Sequence, residues 1–174
     1  LGQHGELGHV MSVYEPVPRH PMVLRWPGRL EGGRVEDAQV RLQDLYPTIL
    51  EAAGVDVPAP CRKGAVSLGE SPLRPRVLLA QYGPMLQAIP GVRRALPDAP
   101  PAVLDRFRHV YRTVREPASI PGARKYVQVV LPREANTPSI LREELYDLAA
   151  DPGETRNLLG PGAAPAGRGT AVRV

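Results

Sequence analysis

Apolar and polar residues alternate most clearly in the second half of the chain. From His109 to Arg115, Val110, Arg112 and Val114 fall on one face and Tyr111, Thr113 and Arg115 on the other, the two-residue period of a strand. Arg76 to Tyr82, Lys125 to Leu131 and Leu145 to Leu148 read as three further strands. Residues 84–107 are broken by five prolines, which limits them to short helical pieces, best placed at Ala102 to Arg108. Asp151-Pro152-Gly153-Glu154 is a turn with helix-start chemistry, predicted to lead into one helical turn over Thr155–Leu159.

The first half follows a different rhythm. Residues 1–20 are rich in Gly, His and Pro and read as loop. Pro21 to Gly28 is a short apolar run closed by a Pro-Gly turn, as expected of a buried strand in a covered sheet. Leu42, Leu45, Ile49 and Ala52 or Ala53 recur at helical spacing, so Gln43 to Gly54 is predicted to be a helix. Pro47 is tolerated in its first turn, and Gly54 stands where a left-handed cap ends it. Val55 to Pro75 reads as a linker or surface loop, and the Gly, Ala and Pro of the tail from Gly160 as disordered.

Composition narrows the function classes. With 174 residues the chain can bury a real core. No apolar stretch approaches the roughly 18 residues a membrane span needs. Residues 1–60 hold five Arg and eight acidic residues, and the remainder seventeen basic and ten acidic, so the net +4 resides in the later part. Those arginines are scattered among acids and prolines, without a basic run or a stacking platform, which argues against nucleic acid as a partner. One cysteine, Cys61, excludes an intrachain disulfide and a cysteine-rich metal site. Leu1 in place of Met, with no basic-then-apolar leader after it, is what a portion of a longer protein would show.

Three segments in order carry a resemblance. They are LGQHGELGHVMSVYEPVPRHPMVLRWPGRL from Leu1 to Leu30, DLYPTILEAAGV from Asp44 to Val55, and EELYDLAADPGETRNL from Glu143 to Leu158. Together they resemble the sulfatase family, a branch of the alkaline-phosphatase superfamily, in its C-terminal portion. The resemblance implies an α/β fold: the last strand and helix of a large sulfatase-type α/β domain, then a small C-terminal four-stranded antiparallel sheet packed on a helix. The expected boundaries are 1–60 for the end of the catalytic domain and 61–75 for a linker. Residues 76–159 would be the small subdomain, and 160–174 a disordered tail.

The implied chemistry is hydrolysis of a sulfate ester. It uses a formylglycine made from the first residue of a Cys-x-Pro-x-Arg or Ser-x-Pro-x-Arg motif and a divalent cation, usually calcium, held by acidic ligands. Charge builds on the sulfate oxygens and the leaving alcohol, and a cation and positioned donors must meet it. Cys61 fails as that nucleophile: Lys63 stands where Pro or Ala belongs and Ala65 where Arg belongs, and it comes too late in the order. The family's Asp-His-Gly metal segment would precede Leu1, so no metal ligand is assigned here, and the isolated chain is expected to be inactive.

Two site residues match the family's pattern. His9, in Gly8-His9, occupies the position of a Lys or His that touches the sulfate; a histidine there can donate to a sulfate oxygen or protonate the leaving oxygen. His4 matches the His of the family's opening motif and would help shape the substrate pocket. Arg19 reads as a brace, Tyr14-Glu15 as ordering the same loop, Trp26 as core, and His20, His109, Asp147 and Asp151 as structural. The implied partners are a small sulfated substrate and an N-terminal sulfatase fragment, with no nucleic acid and no membrane. A phosphodiesterase or phosphonate monoester hydrolase of the same superfamily shares these segments. A non-catalytic interaction module and a degenerate gene product are the readings from other classes.

Overall fold

The computed structural model describes residues 12–15, 17–70, 72–132 and 139–160. His4 and His9 lie outside the described residues, as does the tail beyond Gly160. The chain forms two compact units. The first comprises the described parts of Leu1–His20, Leu79–Arg115 and Gly122–Val174, and the second Pro21–Leu78 with Glu116–Pro121.

The first unit is built on a four-stranded antiparallel sheet in the order β1 (Leu78–Tyr82), β2 (Val110–Arg115), β3 (Arg124–Leu131) and β4 (Ser139–Asp147). The register pairs Thr113 with Val127 and Val127 with Glu144. Tyr111, Thr113, Lys125, Val127, Val129, Glu144 and Tyr146 therefore share one face, and all are buried. Near one end the β3–β4 register slips between Val129 and Val130, so that Arg142 pairs with Val129 but Ile140 with Val130, leaving Leu141 as the extra residue of a bulge. Helices α2 (Ile89–Ala95) and α3 (Pro101–Arg106) fill the proline-rich stretch between β1 and β2, each opening with Pro in its first two positions, where the absent N–H breaks no helical bond.

Val13 and Tyr14 join Tyr111, Val127, Val129 and Tyr146 in the core of this unit. Among the described residues it is thus the segment after the opening loop, and not a helix, that contributes the covering side chains of the sheet. The helical turn expected over Thr155–Leu159 is also absent. Asp151 competes for that backbone: its carboxylate accepts the Arg156 N–H at 2.7 Å and the Thr155 hydroxyl at 3.0 Å, holding the chain in a side-chain-capped loop.

The second unit centres on α1 (Leu45–Ala52), preceded by a 3₁₀ turn over Leu42–Asp44. Its end follows the sequence closely. Gly54 has φ +69°, the Gly54 N–H donates to Glu51 O and the Val55 N–H to Leu50 O, the paired bonds of a Schellman cap. Two expectations fail in this unit. Pro21 to Gly28 forms no strand, and Val23 is 92% exposed. A parallel-sheet strand exists only through its neighbours' N–H and C=O groups, and none of the described strands pairs with this run. The apolar stripe of α1 likewise faces outward: Leu42 and Ile49 are exposed, and the buried helix residues are Pro47 and Thr48. Trp26, expected in the core, is half-buried, its ring set against Gly69 so closely that an added methyl there would meet it at 2.7 Å. No helix among the described residues is long and apolar enough to cross a membrane.

Candidate functional site

Residues 12–15, the first described, lie against the sheet of the first unit. Ser12, Val13 and Tyr14 are buried, and Glu15 pairs with side chains from β2 and β3. Lys125, fully buried, sits 3.1 Å from Glu15 and 2.8 Å from Glu154, and Arg115 donates to Glu15 at 3.0 Å. The second oxygen of Glu154 accepts the Glu15 backbone N–H at 2.6 Å. Two acids thus meet two bases, so the quartet is neutral, which is the condition under which charges survive burial. Burial pushes the Glu15 carboxyl up, but Lys125 and then Arg115 outweigh it and hold the group below the usual carboxylate range.

Glu154 has φ +54° and is the only non-glycine with a left-handed backbone among the described residues. For an L-residue that conformation costs about 1–2 kcal/mol. Glycine stands next to it at position 153, so the chain places a side chain where glycine would be cheaper.

Beside the quartet is a second buried cluster. The Tyr14 hydroxyl donates to Glu144 at 2.6 Å and the Tyr146 hydroxyl at 2.9 Å, while Arg142 pairs with Glu144 and reaches Tyr14 Oη at 3.2 Å. The Tyr14 and Tyr146 rings meet edge to face with centroids 6.3 Å apart. Burial and the Glu144 carboxylate push both phenols well above the ordinary tyrosine value. They act as donors and not as acids at any ordinary pH.

A cleft of about 770 Å³ opens over this cluster, lined among others by Tyr14, Arg106, His109, Arg142, Glu144 and Thr155. Burial depresses the pKa of His109, so its imidazole is neutral near pH 7, and its ring lies edge-on to Tyr111. The Thr155 hydroxyl donates to the Asp151 carboxylate, which also accepts the Arg156 N–H and so holds the loop after β4. The cleft presents aromatic edges and a mixed set of charges, in which the Tyr14 and Tyr146 hydroxyls and Arg142 are already engaged with Glu144.

In the second unit, Asp44 is 0% exposed and gathers the elements around α1. Its carboxylate accepts the N–H groups of Arg41 at 2.7 Å and Val66 at 3.1 Å, and both terminal nitrogens of Arg76. Burial raises its pKa, yet Arg76 and those two N–H groups hold it below the usual aspartate value. Thr48 extends the hub, donating to Asp44 O at 2.5 Å and accepting the Leu68 N–H at 2.8 Å.

Of the residues singled out from sequence, Tyr14 and Glu15 are brought together on the sheet, whereas His4 and His9 lie outside the described residues. His20 is exposed, His109 lines the cleft, and Cys61 sits half-buried in a 3₁₀ turn over Ala59–Arg62 of the second unit. Among the described residues no group of three or more His, Cys, Asp or Glu side chains is arranged to hold a metal ion. Sequence reasoning missed Lys125, Glu144 and Glu154 as partners of the opening segment. The signal was present for two of them: the strand period places Lys125 with Val127 and Val129, and Glu144 with Tyr146.

Residues 2–68 match the family model described as N-sulphoglucosamine sulphohydrolase, C-terminal. That is the C-terminal domain of a sulfatase, and the match is consistent with a C-terminal sulfatase portion. No solved structure matches the chain.

Proposed function

We propose, from the premise that residues 2–68 carry a sulfatase C-terminal domain, that this chain serves the hydrolysis of sulfate from a small sulfated molecule. The name of the matching family model speaks of N-sulphoglucosamine, which favours a sulfated sugar as the substrate class, with sulfate held as an ester or on an amine. The single observation that carries the reading is that match, which spans the opening Gly/His loop and the Asp44 helix alike.

The assigned work of these residues is to bind and to move a proton. His9 is proposed to donate a hydrogen bond to a sulfate oxygen, or its proton to the leaving oxygen, and His4 to shape the pocket beside it. The nucleophile is not among these 174 residues in the form the family uses, since Cys61 lies in Cys61-Arg62-Lys63-Gly64-Ala65. Alone, the chain is therefore proposed to lack turnover, with an N-terminal sulfatase fragment as its partner in catalysis.

The test has two arms. Purified chain with an aryl sulfate and calcium is expected to release no product above buffer, and turnover that persists in Cys61→Ala would overturn this account of the chemistry. Joined to the polypeptide encoded immediately upstream, the chain is expected to hydrolyse the same substrate, and His9→Ala in that protein to lower kcat by about a hundredfold or more. An upstream sequence with no Cys-x-Pro-x-Arg or Ser-x-Pro-x-Arg motif would sink the sulfatase reading.

A further inference from the structure

We infer that the outward face of α1, together with the apolar run over residues 21–26, is the surface on which the N-terminal part of a sulfatase docks. The inference rests on the sulfatase reading above and names the surface through which that partner is held.

Helix α1 is amphipathic in the reverse of the usual sense. At 3.6 residues per turn, Asp44, Pro47, Thr48 and Glu51 fall on one side, and Tyr46, Ile49 and Ala53 on the other. The polar side is the covered one. Asp44 and Thr48 are buried and bonded to Arg76, Val66 and Leu68, and Glu51 accepts from Arg29 and Ser67. The apolar side is open: Tyr46 is 50% and Ile49 63% exposed, and Leu42, in the turn before the helix, 79%. Eight residues are too few to hold a helix by its own bonds. The polar hub fastens α1 from behind and leaves its apolar stripe for a second contact.

The run supplies the rest of the surface. Val23 is 92% exposed, and no other described residue hydrogen-bonds to the N–H or C=O groups of Met22, Val23, Leu24 or Arg25. Its far end is tied to α1, since Arg29 lies over the Trp26 ring and pairs with Glu51 at 2.8 Å.

Area and chemistry decide the occupant. A helix of eight residues is about 12 Å long and about 10 Å wide, so its face falls far short of the roughly 800 Å² that each partner of a stable complex buries. Two copies meeting through α1 alone would therefore separate. The covering surface has to take the run as well, and open N–H and C=O groups are met by the edge of a sheet. Pro21 and Pro27 limit that pairing to one short strand at the edge. The family model that spans both elements, over residues 2–68, describes a C-terminal part. The N-terminal part thus presents a strand edge to residues 22–25 and an apolar face to Leu42, Tyr46 and Ile49.

The experiment compares the chain alone with the chain joined to the polypeptide encoded immediately upstream. In the chain alone, Ile49→Ala should leave the thermal midpoint within about 1–2 °C of wild type, as expected of an exposed side chain. In the joined protein, where Ile49 is covered, the same substitution should lower the midpoint by about 5–15 °C. Should that variant fail to fold, Ile49→Val carries the same comparison with a smaller drop of about 2–5 °C. The amides of residues 22–25 should exchange at least about a hundredfold more slowly in the joined protein than in the chain alone. Equal midpoint changes in the two proteins, or unprotected amides at 22–25 in the joined one, would overturn the docking surface. So would a dimer of the chain alone that Ile49→Lys converts to monomer in sedimentation, since the face would then belong to a second copy. A joined protein that shows both effects and cleaves no sulfate would leave the docking surface standing and remove the sulfatase reading.

Discussion

Removing the Asp44 carboxylate should unfold the second unit selectively, and the structure sets the size of the effect. In Asp44→Ala the N–H groups of Arg41 and Val66 lose their acceptor, and Arg76 loses its ion-pair partner. Each buried donor left unmatched costs about 1–3 kcal/mol. Arg76 keeps some access to water, its side chain being 18% exposed, so its share lies at the low end. The total comes to about 3–5 kcal/mol, the range found when one partner of a buried charge pair is removed. Asp44→Asn keeps one acceptor oxygen and the shape, and should cost about 1–3 kcal/mol. For a unit of this size, 3 kcal/mol lowers Tm by on the order of 10–20 °C.

Trp26 makes the measurement specific. It is the chain's one tryptophan and lies in the same unit, against Gly69, so its fluorescence in urea reports that unit. The pH dependence has a fixed sign. The folded-state pKa of Asp44 is depressed, so its contribution is fully present above the unfolded value of about 4 and is lost as pH falls through the folded one. The gap in urea midpoint between wild type and Asp44→Asn should therefore close on acidification. Wild-type midpoints in both variants at pH 7, or a gap that stays constant into acid, would refute the hub.

Two further outcomes follow from the same geometry. Lys125→Met leaves Glu15 and Glu154 facing each other with only Arg115 for balance; it should destabilise the first unit by about 3–5 kcal/mol, seen as loss of sheet signal in circular dichroism while Trp26 fluorescence keeps its wild-type midpoint. Gly54→Ala meets no atom within 4 Å but must adopt φ +69°, so calorimetry should show a loss of about 1–2 kcal/mol and not the gain usual for Gly to Ala inside a helix.

Local patterns were readable because their causes are local. The β2 and β3 strands show in the alternation of Val110 to Arg115 and Lys125 to Leu131, and the stop of α1 shows in Gly54. Pro21 to Gly28 was misread because an apolar run records a tendency to be covered, whereas a strand needs a partner, and the described chain offers none. Thr155–Leu159 was misread because Asp151 can serve either a helix start or its own loop, and sequence does not say which bond wins. The charged quartet was illegible for a different reason. Glu15, Lys125 and Glu154 each look like solvated surface charges, and only the fold brings positions more than a hundred residues apart into contact. The proposed site itself, His4 and His9, rests on the motif match, since both precede the described residues.

The unpaired run from Pro21 to Trp26 is an apolar stretch open to solvent, the kind of segment that recruits identical chains into fibrils. Its own composition works against that outcome. Pro21 and Pro27 bracket it and offer no N–H to an incoming strand, and Arg25 puts a charge between Leu24 and Trp26. Replacing those two prolines would turn a stretch that resists self-assembly into one that invites it.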